Sequence, residues 1–332
     1  MKDIADDLGV SLMTVSKALR NHQDVGAETR RRVLQRAKEL KYQPNLMARG
    51  LASRRTFLIG LIVPDMMHSF FAEVARGIGD KLEPQGYQIL IANSGERADR
   101  ELQQIRSFQG RSVDGLIIAS AAGRASPQLT DALAATNARY VFIDRTVTGL
   151  HANYVGVDNE EIGYLATSHL IEQGCTCVAH IRGPAISTGT GRLSGYRRAL
   201  ESHEFAVSGG CISGCEYEDA AGYSAMRRLL ELKPRPDGVF CYNDPVAAGA
   251  MKAILEAGLR IPQDIAVIGA GNVHYSDLLR VPLSTIDQSS ALIGRTSADL
   301  LMNSMQTKAP TVPRRILFSP QLIVRASSQR KT

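Results

Sequence analysis

Residues 2–21 read KDIADDLGVSLMTVSKALRN, and the spacing of their apolar side chains decides the fold of the N-terminus. Ile4, Ala5 and Leu8 share one helical face, Gly9-Val10 interrupts it, and Ser11 is placed to cap a second helix that buries Val15, Ala18 and Leu19. Two short helices joined by a tight turn are therefore predicted. A longer helical pattern follows over 27–40, with Val33, Leu34, Ala37 and Leu40 expected inward and Arg30, Arg31, Arg32, Arg36 and Lys38 largely outward. Three such helices can enclose one small core, which predicts an all-α module over 1–43.

The charge of the chain sits in the same place. Lys and Arg number 39 against 33 Asp and Glu, a net charge of +6, and residues 1–55 alone hold 12 of the former and six of the latter. A basic module on a neutral body points to a polyanion partner for the module and a separate task for the body, the plainer alternative being a solvated basic helix. At 332 residues the chain is too long for one ordinary α/β lobe, and 44% hydrophobic with 22% charged residues excludes disorder as its main state. The longest apolar runs, 57–63 and 113–122, are interrupted or fall short of the roughly 18–20 residues that span a bilayer, so no membrane partner is expected. The start MKDIADD is acidic where a signal peptide needs a basic, then apolar, beginning, which makes the cytoplasm the expected compartment. Cys175, Cys177, Cys211, Cys215 and Cys241 are odd in number, as reduced thiols would be. Neither close pair is CxxC, although His169 and His180 flank the first, and no metal is expected.

In a helix-turn-helix the second helix lies in the major groove of DNA and its N-terminal half meets base edges. The exposed positions here are Leu12, Met13, Ser16 and Lys17, with Ser11 at the start and Arg20 just beyond the end. Two large apolar side chains on a solvent face need a cover, either satellite packing or thymine methyls in the groove. Lys17 can donate to guanine or phosphate, whereas Thr14, Ser16 and Thr29 suit phosphate oxygens that set register.

Residues 2–21 and the run VGAETRRRVLQRAKELKYQPNLMARGLA at 25–52 resemble the DNA-binding headpiece of the lac repressor (LacI/GalR) family of bacterial transcription regulators. The resemblance implies a hinge and linker at 44–56, helical only when two subunits meet on an operator. It also implies that Leu51 wedges into a central minor-groove step, with Asn45, Ala48 and Arg49 beside it. The headpiece departs from the family where the chain starts a few residues later, where Gly26 replaces the usual Ser cap and where Arg20 replaces Asn. These departures bear on which operator is read. A repressor acting as a homodimer on a near-palindromic site of double-stranded DNA is implied. A dimer and not a tetramer is expected, because no leucine heptad precedes Thr332.

After residue 55, short apolar runs (58–63, 89–92, 115–119, 140–143, then 154–157, 178–181, 239–242, 265–269) alternate with helical stretches such as 70–82, 160–173, 220–232 and 245–257. That pattern predicts an α/β body of two doubly wound parallel-sheet lobes, with ligands outside the carboxyl ends of the strands. The candidate positions are 65–71, 144–145, 187–192, 243–244 and 269–272, Asp244 before Pro245 reading as a helix cap. Arg192 stands out: GPAISTGTGRLSGY at 183–196 is a glycine-rich turn entering a helix, and a guanidinium there can grip vicinal hydroxyls, carboxylate or phosphate.

The segments IGLIVPDMMHSFFAEVARGI (59–78), VDGLIIAS (113–120), VFIDR (141–145), GRLSGYRRAL (191–200) and LSTIDQ (283–288) resemble the periplasmic-binding-protein-like effector domain of the same family. By that resemblance the domain fills 57–332, with an N-lobe at about 57–156 and 289–317 and a C-lobe at about 157–288 and 318–332. Phe70 and Phe71 would border the effector, and Asp144, Arg192 and Asn243 would hydrogen-bond it. The family's aromatic and Asp after the last strand are replaced by Ala270 and Gly271, with His274 or Asp277 left to compensate. The expected effector is thus carbohydrate-like but poorer in hydroxyl donors than a free hexose, a modified or acidic sugar anchored by Arg192. The competing class, a nucleotide-dependent enzyme, finds weak footing. Gly189, Gly191 and Gly195 give GxGxxxG and not GxGxxG, and no P-loop, nucleophile elbow or HExxH occurs. No catalytic residue and no cofactor is expected. A secreted solute-binding protein is disfavoured by the headpiece.

Overall fold

The computed structural model describes residues 1–19, 21–42, 55–206, 209–214, 219–307 and 312–330. The chain divides into two compact units, Met1–Thr56 and Phe57–Thr332. In the first, helices α1 (Lys2–Leu8), α2 (Leu12–Leu19) and α3 (Ala27–Glu39) surround a core of Ile4, Ala5, Val15, Ala18, Val25, Val33 and Ala37. Gly9 ends α1 in the left-handed conformation (φ 61°), and the Ser11 hydroxyl accepts from the Thr14 N–H at 3.1 Å, capping α2. Arg36 reaches back from α3 to Asp7 with two bonds of 2.6 and 2.7 Å. Leu34 and Leu40 are not inward as the spacing suggests; they are 48% and 41% exposed. Val33 and Ala37, one turn apart, take the buried stripe, Leu34 lies about 100° round the helix from Val33 and Leu40 follows its last turn.

The second unit holds two six-stranded sheets, with strands numbered in chain order. The first contains β1 (Leu58–Val63), β2 (Gln88–Asn93), β3 (Gly115–Ile118), β4 (Arg139–Ile143), β5 (Asn153–Val157) and β11 (Arg315–Phe318), in the order β11-β5-β4-β3-β1-β2 and parallel throughout. The second contains β6 (Val178–Arg182), β7 (Ile212–Gly214), β8 (Gly238–Cys241), β9 (Ala266–Gly271), β10 (Ser284–Asp287) and β12 (Gln321–Ile323), in the order β12-β10-β9-β8-β6-β7, with only β12 antiparallel to its neighbour. Strands such as LIGLIV and GLII are apolar along their length because helices cover both faces. Ile59, Leu61, Ile117 and Val141 pack with residues of the helices Ser69–Leu82 and Ser290–Gln306, while Ile62, Leu116, Ile118 and Phe142 pack on the other face. The chain passes to the second lobe after β5, returns after β10 and crosses again between β11 and β12. No helix among the described residues is long and apolar enough to cross a membrane.

In the second lobe the helices Asn159–Glu172 and Ser187–Ser202 pack through glycines. A Cβ at Gly163 would stand 2.0 Å from the Arg192 carbonyl oxygen, and one at Gly195 would stand 1.9 Å from that of Glu160. This contact of backbone on backbone fixes where the second helix presents Arg192. Gly163→Ala is expected to lower stability by about 1–3 kcal/mol through overpacking, read as a fall in the urea midpoint, and to shift the Arg192 network with it. An unchanged midpoint would show that the helices part freely.

Candidate functional site

On the first unit, α2 presents Leu12 (51% exposed) and Met13 (64%) to solvent. Ser11 and Thr14 lie at its N-terminal end, their hydroxyls 2.9 Å apart, and Thr29 sits partly buried in the first turn of α3. Lys17 forms a salt bridge with Asp24, whose other oxygen lies 2.9 Å from His22 Nδ1. Lys17 is therefore not idle in solvent; any other partner must compete with Asp24 for it. The face offers two apolar side chains flanked by hydroxyls and one cation, which fits methyl and phosphate contacts in a groove. Arg20, Asn45, Ala48, Arg49 and Leu51 lie outside the described residues.

In the second unit, loops at the carboxyl ends of both sheets meet in a partly open cleft of about 430 Å³. It is lined by Asp65, His68, Phe70, Phe71, Glu96, Asp144 and Arg145 from the first lobe and by Arg192, Tyr242, Asn243 and Gln288. Arg192 is 3% exposed and lies 4.8 Å from the centre of the Tyr242 ring. Its Nε donates to Asn159 Oδ1 (3.0 Å), one terminal nitrogen to the Tyr242 carbonyl (2.6 Å) and the other to Gln288 Oε1 (2.9 Å). A guanidinium has five N–H bonds, so two remain for a ligand.

Asp144 follows β4 in the left-handed region (φ 59°), where the Tyr154 hydroxyl holds its carbonyl oxygen at 2.8 Å. Its carboxylate, 7% exposed, has Arg145 Nε at 3.5 Å. Burial pushes this acid upward while Arg145 and Arg192 oppose the shift, so a donor arriving from a ligand would be well received. Arg145 closes a two-pronged bond on Glu96, at 2.6 and 2.7 Å.

Asn243 caps the helix Asp244–Glu256, its Oδ1 accepting from the Val246 N–H at 2.9 Å, which turns its amide nitrogen toward His68 Nε2 at 3.1 Å. His68 Nδ1 lies 3.3 Å from the Phe70 N–H. A neutral imidazole offers one ring lone pair, so His68 serves either its own helix or Asn243 on the other lobe, but not both at once. Burial drives His68 down to about 4, aided by Arg192 and Arg145 and opposed by Asp65, so it stays neutral at ordinary pH. Phe70 and Phe71 pack edge to face at 5.1 Å and form the apolar wall.

Phe70, Phe71, Asp144, Arg192 and Asn243 thus come together, whereas Gly271 and His274 do not line the cleft. Gly271 is buried with φ 146°, a Cβ there standing 3.3 Å from Asp244 Oδ2, and His274 is exposed against Tyr275, as Asp277 is exposed nearby. Asp244 is not the helix cap, which Asn243 supplies; fully buried, its carboxylate accepts from Thr285 Oγ1, Ser276 Oγ and the Val273 N–H at 2.6, 2.7 and 3.0 Å. Glu96, Tyr242 and Gln288 were not anticipated. Each follows the end of a strand, β2, β8 and β10, so the rule that placed the other candidates could have found them. No group of three or more His, Cys, Asp or Glu arranged for a metal occurs among the described residues.

Residues 1–45 match the family described as bacterial regulatory proteins, lacI family, and residues 167–328 match the periplasmic binding protein-like domain. The ribose operon repressor of Halalkalibacterium halodurans is 32% identical, covering 99% of this chain and 97% of its own. The HTH-type transcriptional repressor PurR of Aliivibrio salmonicida is 31% identical over 98% of both. Among solved structures, the lac repressor dimer bound to operator and the anti-inducer ONPF has a TM-score of 0.84 at 27% identity, covering 99% of this chain and 98% of that one. The transcriptional regulator CelR in complex with cellobiose has a TM-score of 0.75 at 30% identity, covering 98% of both.

Proposed function

The chain belongs to the lacI family of bacterial regulatory proteins and is a DNA-binding transcriptional regulator under small-molecule control; on that premise we propose how its parts divide the work. Two copies read matched half-sites of a near-palindromic operator with α2 in the major groove, and residues 44–56 act as the hinge between the DNA-binding module and the lobes. A carbohydrate-like effector enters the cleft, donating hydroxyls to Asp144 and accepting from the two remaining N–H bonds of Arg192. The chain carries out no reaction, and it works where its operator is, in the cytoplasm. The observation that carries this reading is the cleft itself, in which a buried carboxylate, a part-used guanidinium and an amide are contributed by two lobes. A ligand that prefers one lobe angle shifts the population able to hold DNA, by no more than its difference in affinity for the two states.

Selection of bound sequences from a random DNA pool tests the first half, and an inverted repeat should emerge; a pool with no inverted repeat would refute it. Exchange of the selected complex against a sugar panel tests the second. On that operator, Leu12→Ala and Met13→Ala should change which base pairs are preferred. Lys17→Ala should weaken binding to all sequences alike and reduce the salt slope by about one. If Lys17→Ala changed the preferred sequence instead, the lysine would be a base reader.

A further inference from the structure

Glu96 and Arg145 stand on turns after β2 and β4 and meet in the cleft wall. The side chains are 17% and 5% exposed, and their two bonds of 2.6 and 2.7 Å close the Arg145 fork. We infer that this pair is a charge gate, which bars anionic ligands from the effector cleft and restricts it to uncharged or amine-bearing polyols. The inference rests on the effector reading above and names the chemical class that reading left open.

The lining acids are Asp65, Glu96 and Asp144, the lining cations Arg145 and Arg192, and His68 is neutral, so the walls carry a formal charge of minus one. Protonating Asp144 brings them only to zero. An entering carboxylate or phosphate finds one guanidinium closed by Glu96 and another already donating to three uncharged oxygens. Beyond the two N–H bonds that Arg192 has left, it can gain a second guanidinium only by displacing Glu96, which strands a part-buried carboxylate in the cleft wall beside Asp144. A hydroxyl or an ammonium meets no such obstacle, because Asp144, whose nearest cation is Arg145 Nε at 3.5 Å, can accept from either. The modified or acidic sugar expected from the sequence rested on Arg192, on Gly271 in place of an acid and on the Phe70–Phe71 wall; the Glu96–Arg145 pair adds a charge argument that favours the modified, uncharged alternative.

The test uses the full-length protein at constant ionic strength, with unfolding temperature and calorimetry as readouts and inorganic phosphate, D-gluconate, D-glucose, D-ribose and D-glucosamine as probes. The unaltered protein should gain no more from phosphate or gluconate than from chloride. Glu96→Gln, which keeps a hydrogen-bond acceptor and removes the charge, should bind phosphate about tenfold more tightly, and Glu96→Asp should not. Glu96→Ala offers a second release of Arg145 should the glutamine variant fold poorly. Saturable binding of phosphate or gluconate to the unaltered protein that Arg192→Ala removes would overturn the gate, as would folded Glu96→Gln and Glu96→Ala variants that gain nothing. If no neutral or amino polyol binds, the effector reading is at fault, while the phosphate arms still decide the gate.

Discussion

Arg192→Ala is expected to abolish the response to effector while the protein still binds its operator. The guanidinium ties the helix Ser187–Ser202 to Asn159, to the strand end at Tyr242 and to Gln288 at the crossing between β10 and the helix Ser290–Gln306. It is therefore the brace between one lobe and a crossover to the other, and on the proposed reading it is a ligand donor as well. Its removal leaves two buried acceptors, the Tyr242 carbonyl and Gln288 Oε1, and the part-buried Asn159 Oδ1 without donors, and a ligand without its fork. Each stranded acceptor costs on the order of 1–3 kcal/mol less whatever water recovers, so the effector affinity should fall by two orders of magnitude or more and the unfolding temperature by several degrees. Arg192→Lys keeps the charge but not the planar fork, and should recover less than a tenth of the response. The comparison is made on the sugar that releases the unaltered protein from its selected operator. A full response in Arg192→Ala would show that the guanidinium serves the fold alone. Loss of operator binding in the absence of any sugar would show that the brace is needed to hold the DNA-bound form.

The sheet strands legible in the sequence were those with helices on both faces. Residues 58–63, 115–118 and 178–181 read as apolar runs because no position on them faces water. What escaped was short or at an edge: β7 and β12 have three residues each, and β11 alternates exposed Arg315 and Leu317 with half-buried Ile316 and Phe318. The helix Ser290–Gln306 buries Ser290, Ser297 and Ser304, each a polar letter that blurs an apolar stripe, although their hydroxyls are satisfied by Glu73 or by backbone carbonyls one turn away. The site shows the same limit. Residues after strands were predictable from the ends of the runs, but partners were not, since Glu96 and Arg145 are 49 residues apart and Arg192 and Gln288 are 96 apart. Periodicity reports which side chains turn inward; it carries no information on which distant acceptor meets which donor. Hence Arg192 was legible as a residue of the cleft while the charge balance around it was not.

Asp244→Ala should give the largest loss of stability of the substitutions considered, about 3–5 kcal/mol, without touching the ligand. The carboxylate is fully buried and does not line the cleft, and it gathers Thr285 of β10, Ser276 and the Val273 N–H onto the N-terminus of the helix Asp244–Glu256. Alanine strands three donors in a space that held a charge, and frees the segment after β9 from the helix that Asn243 caps. Asp244→Asn is a sharper probe, because its shape is kept and one acceptor oxygen becomes a donor. Thr285 and Ser276 can rotate their hydroxyls to accept from it, whereas the Val273 N–H cannot, so the cost should be about 1–3 kcal/mol and smaller than for alanine. Urea unfolding read separately for the two units would place the loss in the effector-binding unit and leave Met1–Thr56 unaffected. Because Asn243 holds its cap next to this network, effector affinity should fall in step with stability across the Asp244 series, where Arg192→Ala lowers affinity far more than its stability loss predicts. Equal ratios for the two residues would mean that Arg192, like Asp244, acts on the ligand only through the frame.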